Sequence, residues 1–152
     1  MIFPDTSFLL PLYVEADAFH APASRIAARF TDPLPLTWLG EIEVATGLHR
    51  ALASGWIGAD EHRRAFMMMD RDVADRILLK VPVDPSRLLP VALRLAADHF
   101  KANPARTLDL LHVASAVVLG AKVLASFDIR QRALAKAGGL ELLPKALPKR
   151  KA

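Results

Sequence analysis

Short apolar runs recur along the chain, and each is followed by a longer stretch whose apolar positions return every three or four residues. The runs "MIFP", "PLPLT", "LLKVPV", "KVLASF" and "LELLP" have the length and apolar density of short buried strands. The longer stretches read as helices: "TSFLLPLYV", "DAFHAPASRIAARF", "WLGEIEVATGLHRALASG", "GADEHRRAFMMMDRDVADRI", "PSRLLPVALRLAADHFKAN", "TLDLLHVASAVVL" and "IRQRALAKA". Their ends are marked. Thr6 or Ser7, Thr37, Asp84 and Thr107 stand where N-caps are needed, and Gly55, Pro104, Gly120 and the Gly138–Gly139 pair stand where helices must stop. Pro11 is expected in the first turns of its helix, where a missing N–H is tolerated. Pro4 is expected to end pairing of the first strand. Strands separated by helices or helix pairs imply an α/β fold with a mostly parallel sheet. Sites in such sheets form beyond the carboxyl ends of the strands, and Asp5 and Asp128 both stand just past an apolar strand.

Length and composition narrow the picture. A chain of 152 residues makes one domain with a sizeable core. It has no cysteine, which removes disulfides and thiolate metal sites and fits a reducing compartment. The N-terminus lacks a basic leader and Asp5 interrupts its apolar run, so no signal peptide is expected. No run approaches a membrane span, and a cytoplasmic protein without membrane contact is expected. The net charge of +4 is local: Lys145, Lys149, Arg150 and Lys151 account for it, and the rest of the chain balances. Residues 145–152 therefore read as a basic tail after a folded body of residues 1–144, and such a tail either solubilises the chain or attracts phosphate backbones. Apolar residues make up 53% of the chain and the mean hydropathy is +0.25, high enough to expect apolar surface covered by a partner or a second subunit.

The acids divide by context. Asp109 lies in a nearly all-apolar helix, where an acid is either a first-turn residue stabilised by the helix dipole or part of a pocket. Glu41 and Glu43 are two positions apart and cannot share a helix face, and Glu43 falls on one stripe with Gly47 and Arg50. Spacing alone barely separates the two glutamates. Asp60, Glu61, Asp70, Asp72, Asp75 and Asp84 read as helix caps or a solvated face. His112 shares a face with Asp109, but no two histidines stand at a ligand spacing. There is no phosphate-binding glycine loop, no G-x-S-x-G elbow and no H-E-x-x-H. Carboxylates without softer donors suit a hard cation.

Four motifs in order, "MIFPDTSFLLPLY", "EVATGL", "RTLDLLHVASA" and "ASFDIRQRALAKAGGL", give the chain a resemblance to the PIN-domain family, and within it to the VapC-type toxin ribonucleases of toxin–antitoxin pairs. The resemblance implies a three-layer α/β/α fold and an acid cluster that binds Mg²⁺ or Mn²⁺. Carried over by motif, that cluster is Asp5, Glu43, Asp109 and Asp128, with Ser126 as an accompanying hydroxyl and His112 as scaffold. It implies Mg²⁺-dependent hydrolysis of RNA phosphodiesters by an activated water, a cognate antitoxin as partner, and mutual repulsion that raises at least one carboxylate pKa in the empty site.

Arg106, Arg130 and Arg132 neighbour the late acids and are the candidate RNA contacts. Phe66, Met67, Met68 and Met69 cannot all face one core. Their helix is either sandwiched between two layers or offers a methionine surface to an antitoxin or to the second copy in a homodimer. Two rivals stand beside the nuclease. One is a PIN-like module that binds RNA or protein without cutting. The other is a haloacid-dehalogenase-type phosphotransferase, which needs a second aspartate where this chain has Ser7.

Overall fold

The computed structural model describes residues 1–99, 101–102 and 104–148. Strands and helices alternate as the hydrophobic pattern requires. Their order is β1 (Ile2–Pro4), α1 (Thr6–Tyr13), α2 (His20–Ala27), β2 (Leu34–Leu36), α3 (Trp38–Ala53), α4 (Ala59–Ala74), β3 (Leu78–Lys80), α5 (Pro85–His99), α6 (Thr107–Val118), β4 (Val123–Ala125), α7 (Ile129–Ala137) and β5 (Glu141–Leu143). All pairings among the described residues are parallel.

The strands form two sheets, β1-β4-β5 and β2-β3, where the sequence predicts one. β2 lies against β1 without a ladder between them. Proline explains the seam. The amide of Asp5 donates to Ala125 at 3.0 Å, so by alternation Pro4 turns its nitrogen away from β4, toward β2. The amide of Leu34 donates to Ile77 at 2.9 Å, so Pro35 turns its nitrogen toward β1. Each strand thus presents an N without H at the shared edge, and the ladder cannot close. Pro4 does not end pairing with β4, contrary to expectation: it stands opposite Ala125, and its missing N–H falls on the other side.

The strand side chains alternate between two cores. Ile2, Ala125 and Leu143 face one cluster with Phe8, Leu48 and Met69; Phe3, Leu124 and Leu142 face the other with Leu88, Val113 and Leu134. Helices therefore cover both faces, giving the three-layer α/β/α architecture. On the first face α1 packs closely on α3, because Gly47 leaves no Cβ; one placed there would stand 2.9 Å from Leu10 Cδ2. Tyr13 ties α1 to α4 through a 2.8 Å hydrogen bond to Asp72, and burial together with that carboxylate holds its phenol well above the usual range. α4 is not sandwiched: Met69 is buried, but Met67 and Met68 are 64% and 50% exposed.

The caps differ in detail from the sequence reading. Asp5, rather than Thr6 or Ser7, caps α1, and Pro11 falls in its second turn. Thr37 caps α3 as expected, and Asp84 accepts from the Ser86 amide at the start of α5. Thr107 is the first residue of α6, whose N-cap position belongs to Arg106. Of the basic tail, Lys149, Arg150 and Lys151 lie outside the described residues, while Leu147 packs against the first core.

Candidate active site

The site is built where β1 and β4 end and α1, α3, α6 and α7 begin. Parallel strands deliver Asp5 and Ser126 side by side, because β1 and β4 are hydrogen-bonded neighbours in register. Asp5 has no exposed surface. Its Oδ1 accepts from the Phe8 amide at 3.0 Å and the Ser7 hydroxyl at 2.7 Å, and its Oδ2 accepts from Ser126 Oγ at 2.5 Å. Burial pushes its carboxyl up to about 6, against the opposing pull of those donors and of His112. Among the described residues no cationic side chain forms an ion pair with it.

Glu43 reaches the same place from α3. Its Oε2 accepts from Thr6 Oγ1 at 2.7 Å and is in short contact with His112 Nε2. The His112 hydrogen bond is the main reason its carboxyl sits below the usual glutamate range. Glu41, two residues earlier, instead pairs with Lys80 on the surface at 2.6 Å. Helical phase therefore separates the two glutamates that the sequence left nearly equal.

Asp109 and Asp128 are held as helix-end acids. Asp109 Oδ2 accepts from the Arg106 amide at 2.9 Å, and its Oδ1 accepts from Gln131 Nε2 at 3.3 Å. Asp128 Oδ1 accepts from the amides of Arg130 at 2.7 Å and Gln131 at 3.0 Å, which makes it the N-cap of α7. The Asp128 amide is itself held at 3.0 Å by both Ser7 Oγ and Ser126 Oγ.

These bonds close into a ring. Glu43 connects through Thr6 to the adjacent Asp5, Asp5 through Ser7 and Ser126 to Asp128, Asp128 through Gln131 to Asp109, and Asp109 along α6 to His112 and back to Glu43. All four acids and Ser126 thus lie in one network. Yet among the described residues no three His, Cys, Asp or Glu side chains converge closely enough to ligate one ion as placed. Asp5, Asp109 and Asp128 each turn one oxygen onto a helix N-terminus. The donor chemistry still fits a hard cation, since every acid oxygen is a carboxylate oxygen and Asp5 is a buried acid without a paired charge. The expected like-charge repulsion is not the source of the raised Asp5 pKa; burial is.

Four members of the ring were given no site role by sequence reasoning. As sequence, Thr6 and Ser7 are candidate caps with no part in the acid cluster, yet Ser7 donates to Asp5 and accepts from the Phe127 amide at 2.8 Å. Their place in the D-T-S triplet was the available signal. His112 is scaffold by the resemblance, and at 1% exposure its Nε2 meets Glu43 while its Nδ1 has no partner among the described residues. Gln131 carries no sequence signal; it is buried, with Oε1 unpartnered among the described residues.

The arginines separate. Arg106 and Arg130 are exposed beside the ring. Arg132 is a correction: it is 7% exposed, and its guanidinium donates to the carbonyls of Ser126 at 2.9 Å, Leu143 at 3.3 Å, Pro144 at 2.8 Å and Lys145 at 3.4 Å. It locks β4 to the chain after β5 and is not a rim cation.

Known proteins bear on this arrangement. No curated protein sequence matches the chain. The structure of VapC20 from Mycobacterium tuberculosis, a Sarcin-Ricin loop cleaving toxin, superposes with a TM-score of 0.70 at 20% identity, covering 97% of this chain and all of that one. The VapBC2 structure from Rickettsia felis, bound to a DNA fragment from its promoter, gives a TM-score of 0.64 at 14% identity, covering 93% of this chain and 97% of that one. At such identities the likeness is one of fold. The profile of the PIN domain matches residues 2–137, nearly the whole chain, and the protein belongs to the PIN-domain family.

Proposed function

We propose that the chain is a Mg²⁺-dependent endoribonuclease and the toxin of a VapBC-type toxin–antitoxin pair, acting in the cytoplasm through a nuclease domain of residues 1–144. The observation that carries this reading is Asp5, a carboxylate with no exposed surface and, among the described residues, no ion-pair partner, at the carboxyl end of β1. Leaving it so is costly unless a cation offsets it. Asp5, Glu43, Asp109 and Asp128 would hold Mg²⁺, or Mn²⁺ in its place. The bound cation supplies Lewis-acid polarisation of the scissile phosphate and a water of lowered pKa.

The chain's own residues do the rest. Ser126 and Ser7 fix both oxygens of Asp5 and the Asp128 amide, so the two strand ends hold one geometry. His112 and Thr6 keep Glu43 ionised. Glu43 Oε1 and Asp128 Oδ2 have no hydrogen-bond partner among the described residues and are open to a ligand. Arg106 and Arg130 meet the RNA backbone. The superposed neighbours support this reading, since one is a Sarcin-Ricin loop cleaving toxin and the other is VapBC2 bound to a DNA fragment from its promoter. Exposed Met67, Met68, Leu89 and Leu93 supply apolar surface for an antitoxin or for a homodimer.

The test is cleavage of a mixed RNA pool with Mg²⁺ and with EDTA, by the wild type and by Asp5→Asn. Cleavage only by the wild type with Mg²⁺ is expected. The second reading, a silent PIN-like binding module, draws on the absence of any ready three-ligand cluster among the described residues. RNA binding without cleavage in any divalent cation would establish it and overturn the nuclease.

A further inference from the structure

A groove of about 450 Å³ lies between α2 and the chain after β5. One side is a face of α2 and of the turn that follows it: Pro22, Arg25, Ile26 and Arg29 recur at spacings of three, one and three residues, one helical turn after another. The other side is made by Pro144 and Pro148, with the exposed Lys145 next to Pro144 in the chain. No acid among the described residues lines it. Arg25 and Arg29 are exposed, and among the described residues neither forms an ion pair; the same holds of Arg130 and Lys145. The C-terminal end of α2 gains from a cation in its last turn, which accounts for Arg25, but Arg29 stands beyond the helix. The wall opposite α2 is held from inside. Arg132 donates to the carbonyls of Leu143, Pro144 and Lys145, so a buried guanidinium fixes a segment that has left the strand. Pro148 also lines an adjoining groove of about 440 Å³, whose lining includes Asp128 and Arg130.

We propose that this groove carries the single strand of RNA that leads away from the acids: Arg25 and Arg29 each meet a phosphate of it, Arg130 meets one nearer the scissile bond, and the prolines support its sugars and bases. The inference rests on the nuclease reading and adds to it the course of the bound strand. Three observations favour it. The cations are unpaired and no acid opposes them, which suits a polyanion. Pro148 belongs both to this groove and to the one that reaches Asp128 and Arg130, so a strand lying here arrives at the acids. The apolar lining among the cations, Pro22 and Ile26 on one side and Pro144 and Pro148 on the other, receives bases that a duplex would keep turned inward, so the strand is single here. An acidic peptide shares the charge, but its binding has no need of the junction with the acids. Contacts remote from the reacting phosphate act alike on bound substrate and transition state. Arg25 and Arg29 therefore lower KM and leave kcat unchanged.

The probe is a fluorescein-labelled oligouridylate dodecamer, titrated against the full chain in EDTA and followed by anisotropy at several salt concentrations. Wild-type binding that weakens linearly on a log–log plot against salt is expected. Each phosphate contact on a single strand contributes about 0.7 to that slope, so Arg25→Gln and Arg29→Gln together should weaken binding and flatten the slope by about 1.4. Arg25→Lys with Arg29→Lys should keep the slope, since lysine still meets a phosphate as a point charge. Arg64→Gln with Arg94→Gln removes the same charge from exposed arginines of α4 and α5 that form no ion pair among the described residues, and should leave the slope unchanged. Melting curves check the fold of each variant. Arg29→Gln alone, outside the helix, should flatten the slope by about 0.7 and stands in if the double variant does not fold. A wild-type slope after loss of Arg25 and Arg29 would overturn the track, and so would no binding by the wild type. An equal loss after removal of Arg64 and Arg94 would also overturn it, because net charge alone would then explain the effect. Loss of a co-encoded antitoxin, but not of RNA, with Arg25 and Arg29 would make the groove a protein contact and end the proposal. Cleavage of the RNA pool in Mg²⁺ is scored separately. The expected slopes without cleavage sink the nuclease reading alone, and cleavage with an unchanged KM in the double glutamine variant sinks the track alone.

Discussion

Replacing Asp5 by asparagine isolates the cost of a buried charge. The carboxyl goes from an ordinary 3.8 to about 6 on folding. A raised folded-state pKa means that the native chain binds more protons than the unfolded chain between those values. Its contribution to stability is present below 3.8 and is lost as pH rises through 6. About two pKa units at 1.36 kcal/mol each amount to about 3 kcal/mol. The amide is nearly isosteric. Its oxygen still accepts from Ser7 and Phe8, and its NH₂ donates to Ser126 Oγ once that hydroxyl turns away. The pull of those donors on the charged form is already contained in the shift. Without metal at pH 7.5, Asp5→Asn should therefore be more stable than the wild type by about 3 kcal/mol, or roughly 6–12 °C in Tm for a domain of this size. The two should approach each other as pH falls to 4. Urea denaturation in EDTA from pH 4 to 8 measures the difference directly, and other titrating groups cancel in it. Added Mg²⁺ should then raise the wild-type midpoint and leave the variant's unchanged. Parallel stability profiles for the two proteins across this range would refute the assignment of a buried, proton-binding Asp5.

The remaining expectations follow from single contacts. Glu43→Gln should abolish Mg²⁺-dependent RNA cleavage, while Glu41→Gln should cut normally and lose less than about 1 kcal/mol with its exposed Lys80 pair; gel assays of both decide. Asp128→Asn should hold metal-free stability within a few tenths of a kcal/mol because asparagine also caps, whereas Asp128→Ala should lose about 1 kcal/mol; thermal melts in EDTA separate cap from bystander. Gly47→Ala should stay within about 1 kcal/mol of the wild type, because the gain in helix propensity offsets the push on the flexible end of Leu10. Gly47→Val should destabilise clearly more by urea titration, as it parts α1 from α3.

The hydrophobic pattern of the chain was legible nearly element by element, because strand and helix periods differ and the stop signals at Gly55, Gly120 and Gly138–Gly139 are backbone requirements; Gly120 and Gly139 adopt φ of +75° and +86°. The seam between the sheets was not read, although both prolines are in plain view. It depends on which edge each nitrogen faces, and parity relative to a partner strand is set only once the register exists. The position of Asp5 at a strand end was readable for the same local reason as the caps. Spacing alone did not choose Glu43 over Glu41; only the motif, with Gly47 four residues on, favoured Glu43, because the choice turns on the packing of α3 against α1, which Gly47 permits.

What the sequence hid most completely was the division of labour inside the ring. Arg132 and Arg130 are two residues apart, equally basic and both within four residues of Asp128. Two steps along α7 turn the first inward, under four carbonyls, and leave the second outside. Burial makes the guanidinium of Arg132 easier to deprotonate, and the charge of Asp5 opposes that change. Such a cation does not pair with Asp5, but it lowers the cost of keeping that carboxylate inside. Arg132 thus acts on the acid cluster through the interior and Arg130 through the rim. Arg132→Gln should therefore raise the Asp5 pKa further and loosen the segment after β5, while Arg130→Gln should change only how RNA binds. Carbon-13 NMR titration of the Asp5 carboxyl in both variants is the measurement, and an unshifted midpoint in Arg132→Gln would show that the guanidinium has no part in holding Asp5.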